Sequence, residues 1–218
     1  MGNGAKTTSA DLERQWFIVG RWQEYEGEAR ANLLRILGIG GFYLVELANH
    51  YGLRLGAFEM PRVVERPFQQ AVTALAVAWT VVALAVLLCL SQRFFPRVLK
   101  YLSTGADVVL LTGILTVADG PRSPLVVGYF LVIALATLRL NLPLIWFATA
   151  GSVAGYLFLS GYAKWFTERE IRVPRYHQII FLLALVLLGI VLGQVIRRVR
   201  RLAQDYARRV RSGEEETP

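Results

Sequence analysis

The sequence predicts an all-α, polytopic membrane protein: a bundle of six transmembrane helices with both the N- and C-termini in the cytoplasm. Three observations carry this. First, 55% of the 218 residues are hydrophobic and only 18% are charged, and the charge gathers at the ends and between long windows that hold little or none. A water-soluble domain spreads charge over every surface element, so this distribution excludes the ordinary soluble classes. Second, several windows reach the roughly 20 apolar residues needed to cross about 30 Å of hydrocarbon. Residues 71–90 do so without a single charge, and 179–196 with Gln194 as the strongly polar residue near the end. Third, with six crossings and a cytoplasmic start, sixteen of the 24 Lys and Arg residues fall inside and eight outside, as the positive-inside rule requires. The net charge of +8 therefore flanks membrane spans and is not read as a nucleic-acid surface.

In chain order, residues 1–31 form a cytoplasmic N-terminal segment. Leu12, Trp16, Phe17, Val19 and Trp22 lie there among charges, the pattern of a helix lying in the inner-leaflet interface. An apolar core with a small-residue cleavage site, the mark of a secretory signal, is not expected there. The transmembrane domain then covers 32–196, with spans at 32–53, 71–90, 99–118, 124–140, 142–163 and 178–196. The first is the most polar, holding Arg35, Glu46, Asn49 and His50, and the fourth meets the fifth at Asn141 with almost no loop. The single cysteine, Cys89, falls inside a span and leaves no intrachain disulfide to form.

The turn between spans three and four, Asp119-Gly120-Pro121-Arg122-Ser123-Pro124, lies outside. Ser123 followed by Pro124 is a helix-start signal: the hydroxyl caps free N–H groups, and Pro at the first position has no N–H to orphan. Beyond the last span, Val195, Val199, Leu202, Tyr206 and Val210 recur at helical spacing among arginines. Residues 197–218 are thus expected to continue the sixth helix into the cytoplasm as a basic extension with an acidic tail. Arg197, Arg198, Arg200, Arg201, Arg208 and Arg209 would meet a partner or anionic lipid there.

Ionisable groups inside hydrocarbon are functional candidates because their burial is costly. Asp107, in the third span, and Arg139, at the inner end of the fourth, are the expected pair, as a clamp or a polar switch. Glu46, Asn49 and His50 share a helical face toward the outer side, and His177 also lies outside. Glu46, His50 and His177 are candidates for sensing an external cue; metal or haem binding is the less favoured alternative, and no cofactor or metal is expected. Gly151 with Gly155 and Gly189 with Gly193 form two GxxxG motifs, read as close packing inside one bundle, with a homodimer seam as the alternative. No phosphate-binding loop, zinc-protease motif or nucleophile elbow is present, so no enzymatic activity is expected.

The stretch "GADVVLLTGILTVADGPRSPLVVGYFLVIALATLRL", over 105–140, carries Asp107 early in one helix, a turn with Gly120, Ser123 and Pro124, and then Tyr129 and Phe130. It resembles the middle of the six-helix membrane sensor module of bacterial histidine kinases of the type that regulates pili and flagella. The resemblance implies a module that receives a membrane or external cue and passes it inward along its last helix. Kinases of that type continue into a phosphorylated dimerisation helix and an ATP-binding domain. The expectation here is a sensor module without the kinase core, acting through a separate cytoplasmic signalling protein. The function expected is thus a non-catalytic sensor or signal-transmitting subunit of the inner membrane. A structural or anchoring subunit of a larger membrane complex, and a small transporter or ion-conducting protein, are the alternatives.

Overall fold

The computed structural model describes the backbone of residues 9–51, 54–55, 58–59, 66–92, 96, 98–165 and 173–215, and the side chains of 25–48, 51, 68–92, 96, 98–165 and 173–206. Six helices account for nearly all of it: α1 (Ser9–Tyr51), α2 (Arg66–Ser91), α3 (Leu99–Val117), α4 (Gly128–Thr137), α5 (Leu142–Trp165) and α6 (Arg175–Glu215). Between α1 and α2, Arg54–Leu55 pairs antiparallel with Phe58–Glu59 in a two-residue contact. Two single 3-10 turns, Gly120–Arg122 and Pro124–Val127, lead into α4.

Five of these helices are long and apolar enough to cross a membrane: Tyr25–Ala48 within α1, Phe68–Ser91, Leu99–Val117, Leu142–Trp165 and Arg175–Tyr206 within α6. The fourth predicted span differs. Pro124–Thr137 is a shorter apolar helix that begins as 3-10 and becomes α-helical only at Gly128. The first boundary also differs. α1 runs from Ser9 to Tyr51 without a break at residue 32, and Glu28 and Ala31 are already fully buried. Glu28 and Ala31 thus pack inside the bundle ahead of residue 32, while Arg30 between them is exposed.

Contacts fix the helix directions. α1 and α3 run parallel, since Glu28 reaches Ser103 and Arg35 reaches Asp107. α2 runs against both, with Ala83 beside Asn32 and Tyr43 beside Thr73. α3 and α5 are parallel: Gly105 faces Phe147, Gly151 faces Val108 and Gly155 faces Thr112. The chain from Gly120, near Ala163 at the far end of α5, to Arg139, beside Lys100 at the near end of α3, travels the length of α3 in reverse. α3 has 19 residues, or roughly 28 Å at 1.5 Å per residue. The 3-10 turns help α4 to match that height because they rise roughly 2.0 Å per residue. α6 returns along α5, placing Gly189 on Thr149, Gly193 on Leu142 and Arg200 on Leu140.

α4 is packed against α5, α6 and α3 and touches α1, and it carries the buried side chains Tyr129, Val132, Ile133 and Ala136. Around it, Phe181 of α6 stacks edge-on against Phe130 at 5.2 Å and lies 4.4 Å from the Tyr156 ring. The radial order is that of a membrane protein. Leu44, Val109 and Ile179 are about two-thirds exposed, whereas Glu28, Asn32, Arg35, Lys100, Asp107 and Arg139 are buried. A water-soluble bundle has the opposite arrangement, with charge outside and leucine inside.

Candidate functional site

The buried charges converge on one half of the bundle. α1 presents Glu28, Asn32 and Arg35 at steps of four and three, which puts all three on one helical face. α3 answers with Lys100, Ser103, Thr104 and Asp107 at the same spacing, all buried. Two ion pairs result, and neither is the pair expected from sequence. Asp107 binds Arg35, not Arg139, and Arg139 binds Glu28. The reason is directional. α1 lies parallel to α3 and offers a cation level with Asp107, while Arg139 sits beyond the last turn of α4, level with Lys100 and Thr104.

The Arg35–Asp107 pair is fully engaged. Arg35 donates from Nε to Oδ1 at 2.7 Å and from Nη2 to Oδ2 at 2.8 Å, a two-point fork. Trp79 Nε1 of α2 donates to the same Oδ1 at 2.8 Å. Arg35 Nη1 donates to Asn32 Oδ1 at 2.7 Å, and Asn32 Nδ2 donates to the Ala83 carbonyl at 3.1 Å. One carboxylate thus joins three helices. A buried pair stabilises best when its polar atoms are also hydrogen-bonded, and here each of the three Arg35 nitrogens and both Asp107 oxygens has a partner.

The Glu28–Arg139 pair is less complete. Arg139 Nη2 donates to Glu28 Oε1 at 2.7 Å and to Ser103 Oγ at 3.0 Å; its Nη1 donates to the Lys100 carbonyl at 3.1 Å and to Thr104 Oγ1. Yet Glu28 Oε2 and Arg139 Nε are buried without a hydrogen-bond partner. The next residue, Leu140, has φ of 48°, a left-handed conformation that costs a non-glycine residue roughly 1–2 kcal/mol. Its carbonyl accepts from Arg200 Nη2 of α6. Asn141 then starts α5, its side-chain oxygen accepting from the Leu144 N–H at 3.3 Å, a polar start to the helix. The three-residue corner 139–141 consequently holds α1 on one side and α6 on the other.

The other expected residues lie elsewhere. At the opposite end, Ser123 caps the helix as its sequence implies, Oγ accepting from the Leu125 N–H at 3.3 Å, with Pro124 at the first position. Gly120 takes φ of +60°, which explains glycine there. Asp119 and Arg122 are exposed on this turn. His177 is exposed with its ring 4.3 Å from Tyr176. Glu46 is half-buried on α1, and the side chain of His50 lies outside the described residues. Among the described residues no group of three His, Cys, Asp or Glu side chains could hold a metal ion.

The glycine motifs are used inside the bundle. A Cβ at Gly189 would stand 2.8 Å from Thr149 Cγ2, and one at Gly155 would stand 2.8 Å from Thr112 Oγ1 and 3.0 Å from the Tyr129 hydroxyl. Gly151 packs on Val108 and Gly193 on Leu142. Arg197, Arg198, Arg200 and Arg201 are exposed on α6, and the side chains of Arg208 and Arg209 lie outside the described residues. Sequence reasoning missed Glu28, Asn32 and Trp79 in the network and did not connect Arg35 to Asp107. The 28–32–35 spacing was the available signal.

No family model, curated protein or solved structure matches the chain.

Proposed function

We propose that the chain is a non-catalytic sensor or signal-transmitting subunit of the inner membrane, with six crossings and both ends in the cytoplasm. It passes a membrane or external cue along α6 to a cytoplasmic protein. The observation that carries this reading is the corner at 139–141. Arg139 grips α1 through Glu28, and Leu140 grips α6 through Arg200. α1 and α6 are the two helices that extend far past the bundle, reaching Ser9 and Glu215, and they do so at this same end. A displacement of either rod at the corner is therefore felt by the other.

The six crossings are supported by the alternating helix directions and by the height that α4 recovers. The sidedness is supported by the placement of Arg30, Lys100, Arg139 and Arg197–Arg201 at the corner end. The sensor-type motif in 105–140 agrees with the same reading.

The test uses the full chain and one ending at residue 196, each purified from membranes in mild detergent with bound proteins identified. A cytoplasmic protein held only by the full chain, and released or gained when Glu28→Gln loosens the corner, is the expected result. Equal capture and an unchanged downstream response without 197–218 would overturn the reading. A structural or anchoring subunit is the second reading, favoured by the three-helix lock at Asp107. It predicts fixed-stoichiometry co-purification that ignores Glu28→Gln.

A further inference from the structure

Arg35 meets its carboxylate along the edge formed by Nε and Nη2, one nitrogen on each Asp107 oxygen. Arg139 has the same edge but uses Nη2 alone, on Glu28 Oε1. Arg139 Nε and Glu28 Oε2 are both buried without a partner. The two orphans are complementary, an N–H and a carboxylate oxygen, and their side chains are already joined at 2.7 Å. Completing the fork would give every Arg139 N–H an acceptor, since Nη1 already has the Lys100 carbonyl and Thr104 Oγ1, and Nη2 has Ser103 Oγ. Ser103 does not stand in the way. Its one hydroxyl proton has two acceptors in reach, Glu28 Oε1 at 3.3 Å and the Lys100 carbonyl at 3.2 Å, and it can leave the first for the second.

What holds the fork half open is where α1 stands. A Cβ at Gly27 would lie 2.7 Å from the Leu138 carbonyl oxygen and 3.2 Å from Arg139 Cα, so α1 cannot come closer to the corner. It can turn there, because glycine offers no side chain to key it. Glu26 and Arg30 on either side pair with each other on the exposed face of α1. Farther along the helix, Asn32 on the Ala83 carbonyl and Arg35 on Asp107 resist the turn. We propose that Glu28 and Arg139 form a two-position latch, a one-point contact in one position and a two-point fork in the other, set by the turn of α1 at Gly27. In the first position Arg139 shares the carboxylate with Ser103. In the second Arg139 holds both oxygens. The latch is a device of the buried pair and does not depend on signal transmission: its failure would leave capture of a cytoplasmic protein by 197–218 untouched.

Nuclear magnetic resonance of the full chain in lipid nanodiscs tests it, with isotope-labelled arginine. The Nε–H signals of Arg139 and Arg35 are assigned as those that Arg139→Lys and Arg35→Met remove. Relaxation dispersion reads exchange between positions on the microsecond-to-millisecond scale. Exchange at Arg139 Nε and none at Arg35 Nε is the expected result. Glu28→Gln should abolish that exchange: its amide oxygen still accepts from Nη2, but its amide nitrogen turns a donor toward Nε. Gly27→Ala should abolish it as well, because a methyl group against the Leu138 carbonyl stops the turn. A flat profile at Arg139, equal exchange at both arginines, or exchange that survives either variant would overturn the latch. So would a single Arg139 signal that exchanges protons with water, which marks a hydrated pair with one position only.

Discussion

The two buried ion pairs share α1 and α3 yet are built differently. At Arg35–Asp107 both carboxylate oxygens are engaged, and a tryptophan from a third helix adds a donor. At Glu28–Arg139 one carboxylate oxygen and the guanidinium Nε are buried without partners, and the following residue is held left-handed. The first joins three helices within their lengths. The second joins a helix to a bend. Complete pairing makes a lock, whereas incomplete pairing beside a strained corner makes a joint, which can change partners at lower cost. The lock lies deeper in the bundle and the joint lies where both long helices leave it.

The sharpest way to break this contrast is to remove one half of each pair. Asp107→Leu strands the Arg35 guanidinium and the Trp79 N–H, and should destabilise by about 3–5 kcal/mol. In a chain of 218 residues that is a fall of roughly 6–20 °C in unfolding temperature in detergent. Glu28→Gln should lower stability by about 1–2 kcal/mol only. The Gln side-chain oxygen can still accept from Arg139, and Ser103 Oγ, Thr104 Oγ1 and the Lys100 carbonyl remain in place. Should the two variants melt together, lock and joint are not different devices. Leu140→Gly tests the strain itself. Relief of the left-handed conformation, set against the freedom glycine gains in the unfolded chain, should leave stability within about 1 kcal/mol. A large loss would show that the corner is held by its leucine and not strained by it. At the opposite end of the bundle, His177→Ala removes an exposed side chain and should change stability by less than about 0.5 kcal/mol.

Much of the fold was legible because hydrocarbon thickness imposes a length on apolar runs. α2, α3, α5 and the membrane part of α6 lie where the apolar windows are, and Ser123-Pro124 marks its helix start. Two features escaped for one reason. Glu28 sits among the charges of 11–30, so it reads as water-facing, and Pro124–Thr137 reads as a full span although part of its height comes from 3-10 turns. Periodicity reports which face of a helix is apolar, but not which neighbour a polar face meets. Asp107 was visible as an intramembrane acid; its partner depended on α1 lying parallel to α3, a fact of tertiary packing. Trp79 sits in an apolar helix, where an indole N–H leaves no pattern at all.

The claim that Arg35 and Asp107 form a paired lock is tested most directly by a double-mutant cycle, with unfolding free energies measured for Arg35→Met, Asp107→Leu and both together. Each single change leaves one buried charge alone, and the double change leaves none. The account predicts a double variant more stable than either single one, with a coupling of at least about 2 kcal/mol. Losses that simply add would mean that the two side chains do not hold each other, and the lock would have to be abandoned.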